Sequence, residues 1–214
     1  MPTVVPAILN KSKSAFLKKI TNETLRGLAP LWQIDILDGS MFGASCWADV
    51  DEIAEMGSLP DIELHLMVQN PLPIVRAWHE KIPSLKRAIV HAEISRPIGA
   101  VINKIRKLGL ETGIAVNPET ELKTLQGKIP AIDLLLIMGV HPGKSGQSFL
   151  GDIVVRKVDE AKRRFPGIAI GVDGGVKTSN SEALTKAGAD QLCVASGLWK
   201  SRNLETAYHA FEGV

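Results

Sequence analysis

Three side chains in this chain of 214 residues are of the right kind and position to move a proton: Asp35, His65 and Asp173. Each belongs to a short apolar run, Gln33-Ile-Asp35-Ile-Leu-Asp38-Gly39, Glu63-Leu-His65-Leu-Met67 and Val172-Asp173-Gly174-Gly175-Val176. If these runs are strands, alternation sets Gln33 and Asp35 on one face, and His65 and Met67 on one face. Two carboxylates on opposite sides of a substrate carbon can take a proton from one face and return one to the other, which inverts that carbon. A divalent cation between them would polarise the adjacent carbonyl, hold the enediolate and keep both carboxylates ionised despite burial. A single buried aspartate is commonly a cap or loop anchor, and a single strand histidine is commonly hydrogen-bonded core. Three strand ends carrying such groups together is the pattern that points to chemistry.

The elements that must position them follow from periodicity. Short apolar runs alternate with longer amphipathic ones, the pattern of repeated β-α units with a parallel sheet. Strands are expected at Thr3–Leu9, Leu31–Asp35, Asp61–Met67, Arg87–His91, Thr112–Val116, Asp133–Met138, Ile168–Val172 and Gln191–Ala195. Eight strands suit a closed barrel, so the expected fold is α/β, a single (β/α)8 TIM barrel occupying residues 1–214 as one domain. An open doubly wound sheet is the competing architecture, but Leu9 is followed by Asn-Lys-Ser-Lys rather than a glycine-rich turn. Each unit is read as strand, loop and helix. Ser45 is expected to cap a helix carrying Trp47, Val50, Ile53 and Ala54 that stops at Gly57. Thr178 to Asn180 are expected to cap one bearing Ala183, Leu184 and Ala187, ended by Gly188.

In such a barrel the residues at strand C-termini face the active site. Phosphate is commonly held there by backbone N–H groups after strands seven and eight, where this chain has Gly174-Gly175 and Ser196-Gly197. The segment Val140–Phe149 reads as a lid with Gly143 and Gly146 as hinges and Lys144 reaching a phosphate from above. Met67 and Met138 are expected to face the mouth, and His91 to shape the floor of the pocket. His79 and His209 are expected at the surface, and His141 beside the lid.

The remaining features bound the function. A net charge of +2, from 25 basic and 23 acidic residues scattered along the chain, offers no ground for nucleic acid or a membrane as partner. The one dense basic cluster, Lys162-Arg163-Arg164, falls where a helix would end, and cations are favoured there. Cys46, in a helical pattern, and Cys193, in a strand pattern, are expected as buried free thiols. There is no charged-then-apolar N-terminal signal, and the longest apolar stretch, Leu134–Met138, is too short to cross a bilayer. A cytoplasmic protein acting on a small molecule is expected.

The motifs occur in an order that resembles the ribulose-phosphate 3-epimerase family from first strand to last. Pro6-Ala-Ile-Leu-Asn10 is similar to its Pro-Ser-Ile-Leu, Asp35-Ile-Leu-Asp38-Gly39 to its Asp-Val-Met-Asp-Gly, and Glu63-Leu-His65-Leu-Met67-Val to its Asp-x-His-Leu-Met-Val. His91-Ala-Glu93, Ala115-Val-Asn-Pro118, Pro142-Gly143-Lys-Ser-Gly146-Gln147-Ser-Phe149 and Val172-Asp173-Gly174-Gly175-Val176 continue the series. The resemblance implies that Asp35 and Asp173 are the acid and base inverting C3 of a ketopentose 5-phosphate, D-ribulose 5-phosphate to D-xylulose 5-phosphate, through an enediolate. It also implies a divalent ion, zinc, iron, manganese or cobalt, held by Asp35, His65 and Asp173. A second histidine completes the family's set, and Gln33 stands in its place. A neutral amide oxygen is a weaker ligand than imidazole for such metals, so metal binding is expected to be weakened or lost. The substrate contacts implied are Ala7, Met67, Met138, Gly143, Gly146, Gly174, Gly175, Ser196 and Gly197. Ala7 replaces a serine that touches substrate, Lys144 and Ser145 replace phenylalanine and glycine, Ser196-Gly197 reverses the family's Gly-Ser, and Leu37 replaces methionine. A homo-oligomer is also implied. These departures leave two alternatives, a 3-epimerase of another sugar phosphate such as a ketohexose 6-phosphate, and a non-catalytic phosphosugar-binding barrel.

Overall fold

The eight apolar runs become eight parallel strands: β1 (Thr3–Ile8), β2 (Trp32–Leu37), β3 (Ile62–Met67), β4 (Leu85–His91), β5 (Glu111–Val116), β6 (Leu134–Met138), β7 (Ala169–Asp173) and β8 (Gln191–Val194). In the computed structural model, which describes residues 1–125, 127, 132–143 and 147–213, they close in sequence order, β1 pairing with both β2 and β8. This is the (β/α)8 TIM barrel that the eight runs imply. Most expected ends move by one or two residues. Two of the shifts matter. β2 runs on to Leu37, so Asp35 lies inside the strand rather than at its end, and β7 takes in Asp173 as its last residue.

Two cores occupy the two faces of the sheet. Ile34, Ile36, Leu64, Leu66, Val90, Ile137 and Val172 point outward into the layer shared with the helices. Val5, Ala7, Ile89, Ala115, Leu134, Leu136, Met138 and Cys193 fill the barrel. All residues of β2, β3 and β6 are buried, because helices cover the outside of a parallel sheet that is already filled inside. Each branched side chain so withdrawn from water contributes about 1.5–3 kcal/mol.

The helices are α1 (Lys13–Ile20), α2 (Glu23–Leu28), α3 (Val50–Ala54), α4 (Pro71–Lys81), α5 (Ile98–Arg106), α6 (Asp152–Arg164), α7 (Thr178–Lys186), α8 (Ser196–Trp199) and α9 (Leu204–Glu212). Ser45 does not cap α3. Asp49 does, its side chain accepting the N–H groups of Asp51 and Glu52. Ser45 instead forms an antiparallel bridge with Asp38, which folds the segment carrying Cys46 and Trp47 over the end of β2 outside any helix. Cys46 is half-buried and Cys193 buried, both free. α7 begins at Thr178 itself, with Lys177 before it. Asn180 Oδ1 accepts the Lys177 N–H at 2.9 Å, and Ala187 lies just past the helix. Gly57 and Gly188 have φ of 75° and 106°, the left-handed geometry expected of helix stops. Between β5 and β6 the described residues form only a 3-10 turn, Leu122–Thr124, so the strand-loop-helix repeat lapses there. Pro118 before the turn and Gly127 after it both disfavour helix. No helix among the described residues is long and apolar enough to cross a membrane.

The end of the barrel away from the site is closed by a polar plug. Arg87 donates to Glu63 at 2.8 Å, to Gln191 at 3.0 Å and to Glu111 at 2.8 Å, while Gln191 donates to Glu63 at 2.7 Å. Burial lifts the Glu63 carboxyl to about 7 against the opposing pull of Arg87 and Gln191.

Candidate active site

Strand register assembles the site before any side chain is considered. Asp35 lies directly across from His65 between β2 and β3, and Met138 across from Asp173 between β6 and β7. Alternation turns all four inward. Nδ1 of His65 then stands 3.0 Å from Oδ1 of Asp35 and 3.1 Å from Oδ2 of Asp173. Gln33, two residues before Asp35 on the same face, donates its amide N–H to the same two oxygens at 2.8 and 3.0 Å. The carboxylates of β2 and β7 are thus tied together twice, by an imidazole and by an amide. Gln33 and His65 are wholly buried and each aspartate is 7% exposed. Oε1 of Gln33 is buried with no hydrogen-bond partner among the described residues.

Burial raises the Asp35 carboxyl above its ordinary range and the facing Asp173 raises it further, while hydrogen bonds from His65 and Gln33 pull the other way. Burial alone would depress His65, but its bonds to Asp173 and Asp35 outweigh this and hold the imidazole up at about 10. His65 therefore carries a positive charge between two acids when nothing else is bound.

Behind His65 runs a chain of groups. Nε2 of His65 meets Nε2 of His91 at 2.9 Å, and Nδ1 of His91 meets Oε2 of Glu93 at 3.2 Å. His91 is fully buried, which drives its pKa down to about 4 despite Glu93. Burial would raise Glu93, yet bonds from His91, Thr120 and the Asn117 N–H bring it below the ordinary carboxylate value. His91 is thus beneath the site, as the floor reading has it, with Phe42 edge-on to its ring at 5.1 Å. Glu93 enters the sequence reading only as part of a motif. The signal was the polar His-x-Glu at the end of an otherwise apolar strand.

A cleft with about 540 Å³ of empty space opens above these groups. Asp35, Met67, Met138, Gly143, Asp173, Gly174, Gly175 and Ser196 line it, so most of the residues expected around a ligand share one wall. Ala7 does not. It is buried in the barrel filling, and its carbonyl accepts the indole N–H of Trp199 at 2.7 Å. Gly197 lines an adjoining cavity instead. A Cβ on Gly197 would come within 2.9 Å of Val194 and 3.1 Å of Phe211, so tight packing requires a glycine there. Gly174 and Gly175 have φ of 99° and 70°, and a Cβ on them would lie 2.5 Å from Val140 and 2.8 Å from Phe149. Lys144, Ser145 and Gly146 lie outside the described residues. His79 and His209 are exposed, with His209 bonded to Glu212, and His141 pairs with Glu119.

A profile described as "Ribulose-phosphate 3 epimerase family" matches residues 3–199, most of the chain. The chain belongs to the ribulose-phosphate 3-epimerase family. Its similarity to the ribulose-phosphate 3-epimerase of Chlamydia trachomatis serovar D is 32% identity, covering 90% of this chain and 84% of that protein. The enzyme of the same name from Helicobacter pylori is 30% identical, covering 99% and 97%. Among solved structures, a mutant tryptophan synthase α-subunit from Pyrococcus furiosus superposes with a TM-score of 0.70 at 17% identity, covering 99% and 98%, a likeness of fold alone. Membership of the ribulose-phosphate 3-epimerase family makes the protein an isomerase of the epimerase kind, and the non-catalytic alternative is set aside.

One donor atom each from Asp35, His65 and Asp173 lie within 4.8 Å of one another. Two carboxylates and one imidazole leave a coordination position free, the usual form of a catalytic site for a divalent cation. These three residues fit such an ion. Gln33 departs from the family's pattern here, because the atom it presents to this space is a nitrogen donor and not its oxygen.

Proposed function

We propose that the protein interconverts D-ribulose 5-phosphate and D-xylulose 5-phosphate by proton transfer between Asp35 and Asp173. The observation that carries this reading is the convergence of two buried carboxylates, from β2 and β7, on one imidazole at 3.0 and 3.1 Å. In the forward direction one ionised carboxylate removes the C3 proton, leaving an enediolate, and the other, protonated, delivers a proton to the opposite face of C3. The reverse reaction exchanges their roles. Each passage moves one proton from the acid to the base, so atoms and charge balance.

The surroundings serve this transfer. Met67 and Met138 present apolar surface that keeps water from the enediolate. Gln33 and His65 hold the two carboxylates in one orientation, and Gly174, Gly175 and Ser196 bring main-chain N–H groups of the β7 and β8 loops within approach of the phosphate. Asp35, His65 and Asp173 would hold a divalent ion of the zinc, iron, manganese or cobalt type, and Gln33 would join them only by turning its amide oxygen inward. When bound, such an ion polarises the C2 carbonyl and stabilises negative charge on the enediolate. Because Ala7 is absent from the cleft wall, its exchange for serine gives no ground for a larger six-carbon substrate.

The test is incubation with D-ribulose 5-phosphate in deuterated water, with and without Zn²⁺, Mn²⁺ or Fe²⁺, following label at C3 and product by NMR. Label and D-xylulose 5-phosphate are expected. Neither appearing under any condition, or preferential turnover of a ketohexose 6-phosphate, would defeat the reading.

A further inference from the structure

Glu93 is bonded through both carboxylate oxygens, and its surroundings give those bonds a direction. Oε1 accepts the backbone N–H of Asn117 at 2.9 Å and the hydroxyl of Thr120. A peptide N–H can only donate, so Oε1 is committed as an acceptor. Oε2 faces Nδ1 of His91 at 3.2 Å, and since a carboxylate has no proton to give, that nitrogen carries the hydrogen. Neutral His91 is left with a lone pair at Nε2, 2.9 Å from Nε2 of His65. His65 must then carry a proton on Nε2. Its Nδ1, the atom facing Asp35 and Asp173, is then the nitrogen that can release its proton to the neighbouring carboxylates and offer a lone pair when a cation enters. Both rings are fully buried, so no bulk water can stand in for a missing partner.

We propose that Glu93, acting through His91, is a positioning residue that sets the order of protons along the histidine pair and so keeps Nδ1 of His65 open to a divalent cation. Neither Glu93 nor His91 lines the cleft. The device is anchored from outside the barrel. Nζ of Lys157, on α6, donates to the carbonyls of Asn117, Pro118 and Thr120 at 2.6, 3.0 and 2.6 Å. This fixes the loop whose N–H and hydroxyl hold Oε1. The inference rests on reading Asp35, His65 and Asp173 as a cation site.

Replacing a single oxygen reverses the chain. In Glu93→Gln, the Asn117 N–H keeps the amide oxygen at the Oε1 position, so the NH2 group faces Nδ1 of His91 and donates to it. His91 must then hold its proton on Nε2 and give it to Nε2 of His65, which leaves a hydrogen on Nδ1 of His65, closed to metal. His91→Gln changes shape far more but preserves direction, its NH2 donating to Glu93 and its oxygen accepting from His65. A role in packing alone predicts the opposite ranking of the two variants.

Co²⁺ serves as the probe on the whole protein, with affinity from calorimetry and from the visible absorption of the bound ion. Metal-free protein carrying ¹⁵N-labelled histidine rings reports which nitrogens are protonated. Glu93→Gln is expected to bind Co²⁺ about 10- to 100-fold more weakly, and His91→Gln close to the native level. The native spectrum should show His91 protonated at Nδ1 and bare at Nε2, and Glu93→Gln should invert it. Native affinity in Glu93→Gln, equal losses in both variants, or a native His91 protonated at Nε2 would each overturn the proposal. If Glu93→Gln does not fold, the native spectrum and His91→Gln decide. A native protein that binds no Co²⁺ would sink the cation-site reading itself, while the ¹⁵N spectrum still reports the proton order.

Discussion

Gln33 spans the barrel to Asp173: from β2, its amide nitrogen stands 3.0 Å from a carboxylate oxygen on β7, 140 residues further along the chain. The same nitrogen donates to Asp35, so the residue that departs from the family's histidine is also a link between the two acids. Replacing it with histidine should add a nitrogen ligand and raise affinity for Mn²⁺ by about tenfold or more, roughly 1.4 kcal/mol. Gln33→Leu should leave that affinity no higher and slow C3 exchange, since nothing but His65 then holds the carboxylates together. Calorimetric titration decides, and equal Mn²⁺ affinity in native and Gln33→His protein would remove the assigned role.

Asp173→Asn should lower exchange of the C3 proton by about 10²- to 10⁴-fold, the usual share of a general acid or base. In the proposed reading the glycine turn and Ser196 grip the phosphate end of the ligand, away from Asp173. Competition by a non-reactive sugar phosphate, read by fluorescence or calorimetry, should therefore be nearly unchanged. Undiminished exchange would overturn the assignment of Asp173.

Gly174→Ala should cost about 1–3 kcal/mol of stability, because the residue sits at φ 99° and the new Cβ would lie 2.5 Å from Val140. Relaxation of the turn would also move backbone donors, so KM should rise more than kcat falls. Denaturant melts and steady-state kinetics test both halves, and a neutral effect would mean the turn is far more pliant than its contacts indicate.

Lys157→Met retains the buried aliphatic stem and removes three charge-assisted bonds to carbonyls. A loss on the order of 2–4 kcal/mol is expected, because the carbonyls lose their donor while they stay covered. The loop holding Glu93 would loosen with it, and hydrogen exchange at the Asn117 and Thr120 amides should speed up. Unaltered exchange there would show that other contacts hold the loop.

Tyr208 is the only tyrosine in the chain, so its titration can be read directly from phenolate absorbance. Burial, with Glu212 adding to it, raises its pKa from 10.0 to about 12, and its hydroxyl donates to the Val4 carbonyl at 3.2 Å. The folded state keeps this proton where the unfolded chain has lost it. The stability it confers is whole below pH 10 and disappears as the pH climbs to about 12. A folded-state midpoint near the ordinary tyrosine value would contradict this.

Much of the architecture was legible because its signals are local. Ile34 and Ile36 outward, with Gln33 and Asp35 inward, is a period of two that reads directly from the chain. The barrel followed from counting such runs. Ser45 and Asp49 are both good caps by residue type, and the structure uses Asp49 because Ser45 is held in the bridge to Asp38. That the described residues between β5 and β6 form only a 3-10 turn is foreshadowed by Pro118 and Gly127, against the regular strand-loop-helix repeat. In the site, Asp35, His65 and Asp173 were identifiable from type and position, as were Met67 and Met138 on the cleft wall. Ala7 and Gly197 were drawn into the ligand's surroundings by motif, whereas packing against Trp199 and Phe211 governs where they lie.

From the sequence alone came the inward faces of the second and third strands, the acids and histidine at the mouth, and the family to which the chain belongs. Only the tertiary structure decided that Nδ1 of His65 lies between both carboxylates, that Gln33 offers them its nitrogen, and that Glu93 meets His91 beneath. Periodicity specifies which way a side chain points. The distance between side chains on β2, β3, β4 and β7 depends on the stagger and closure of the whole barrel, and no stretch of sequence encodes that locally.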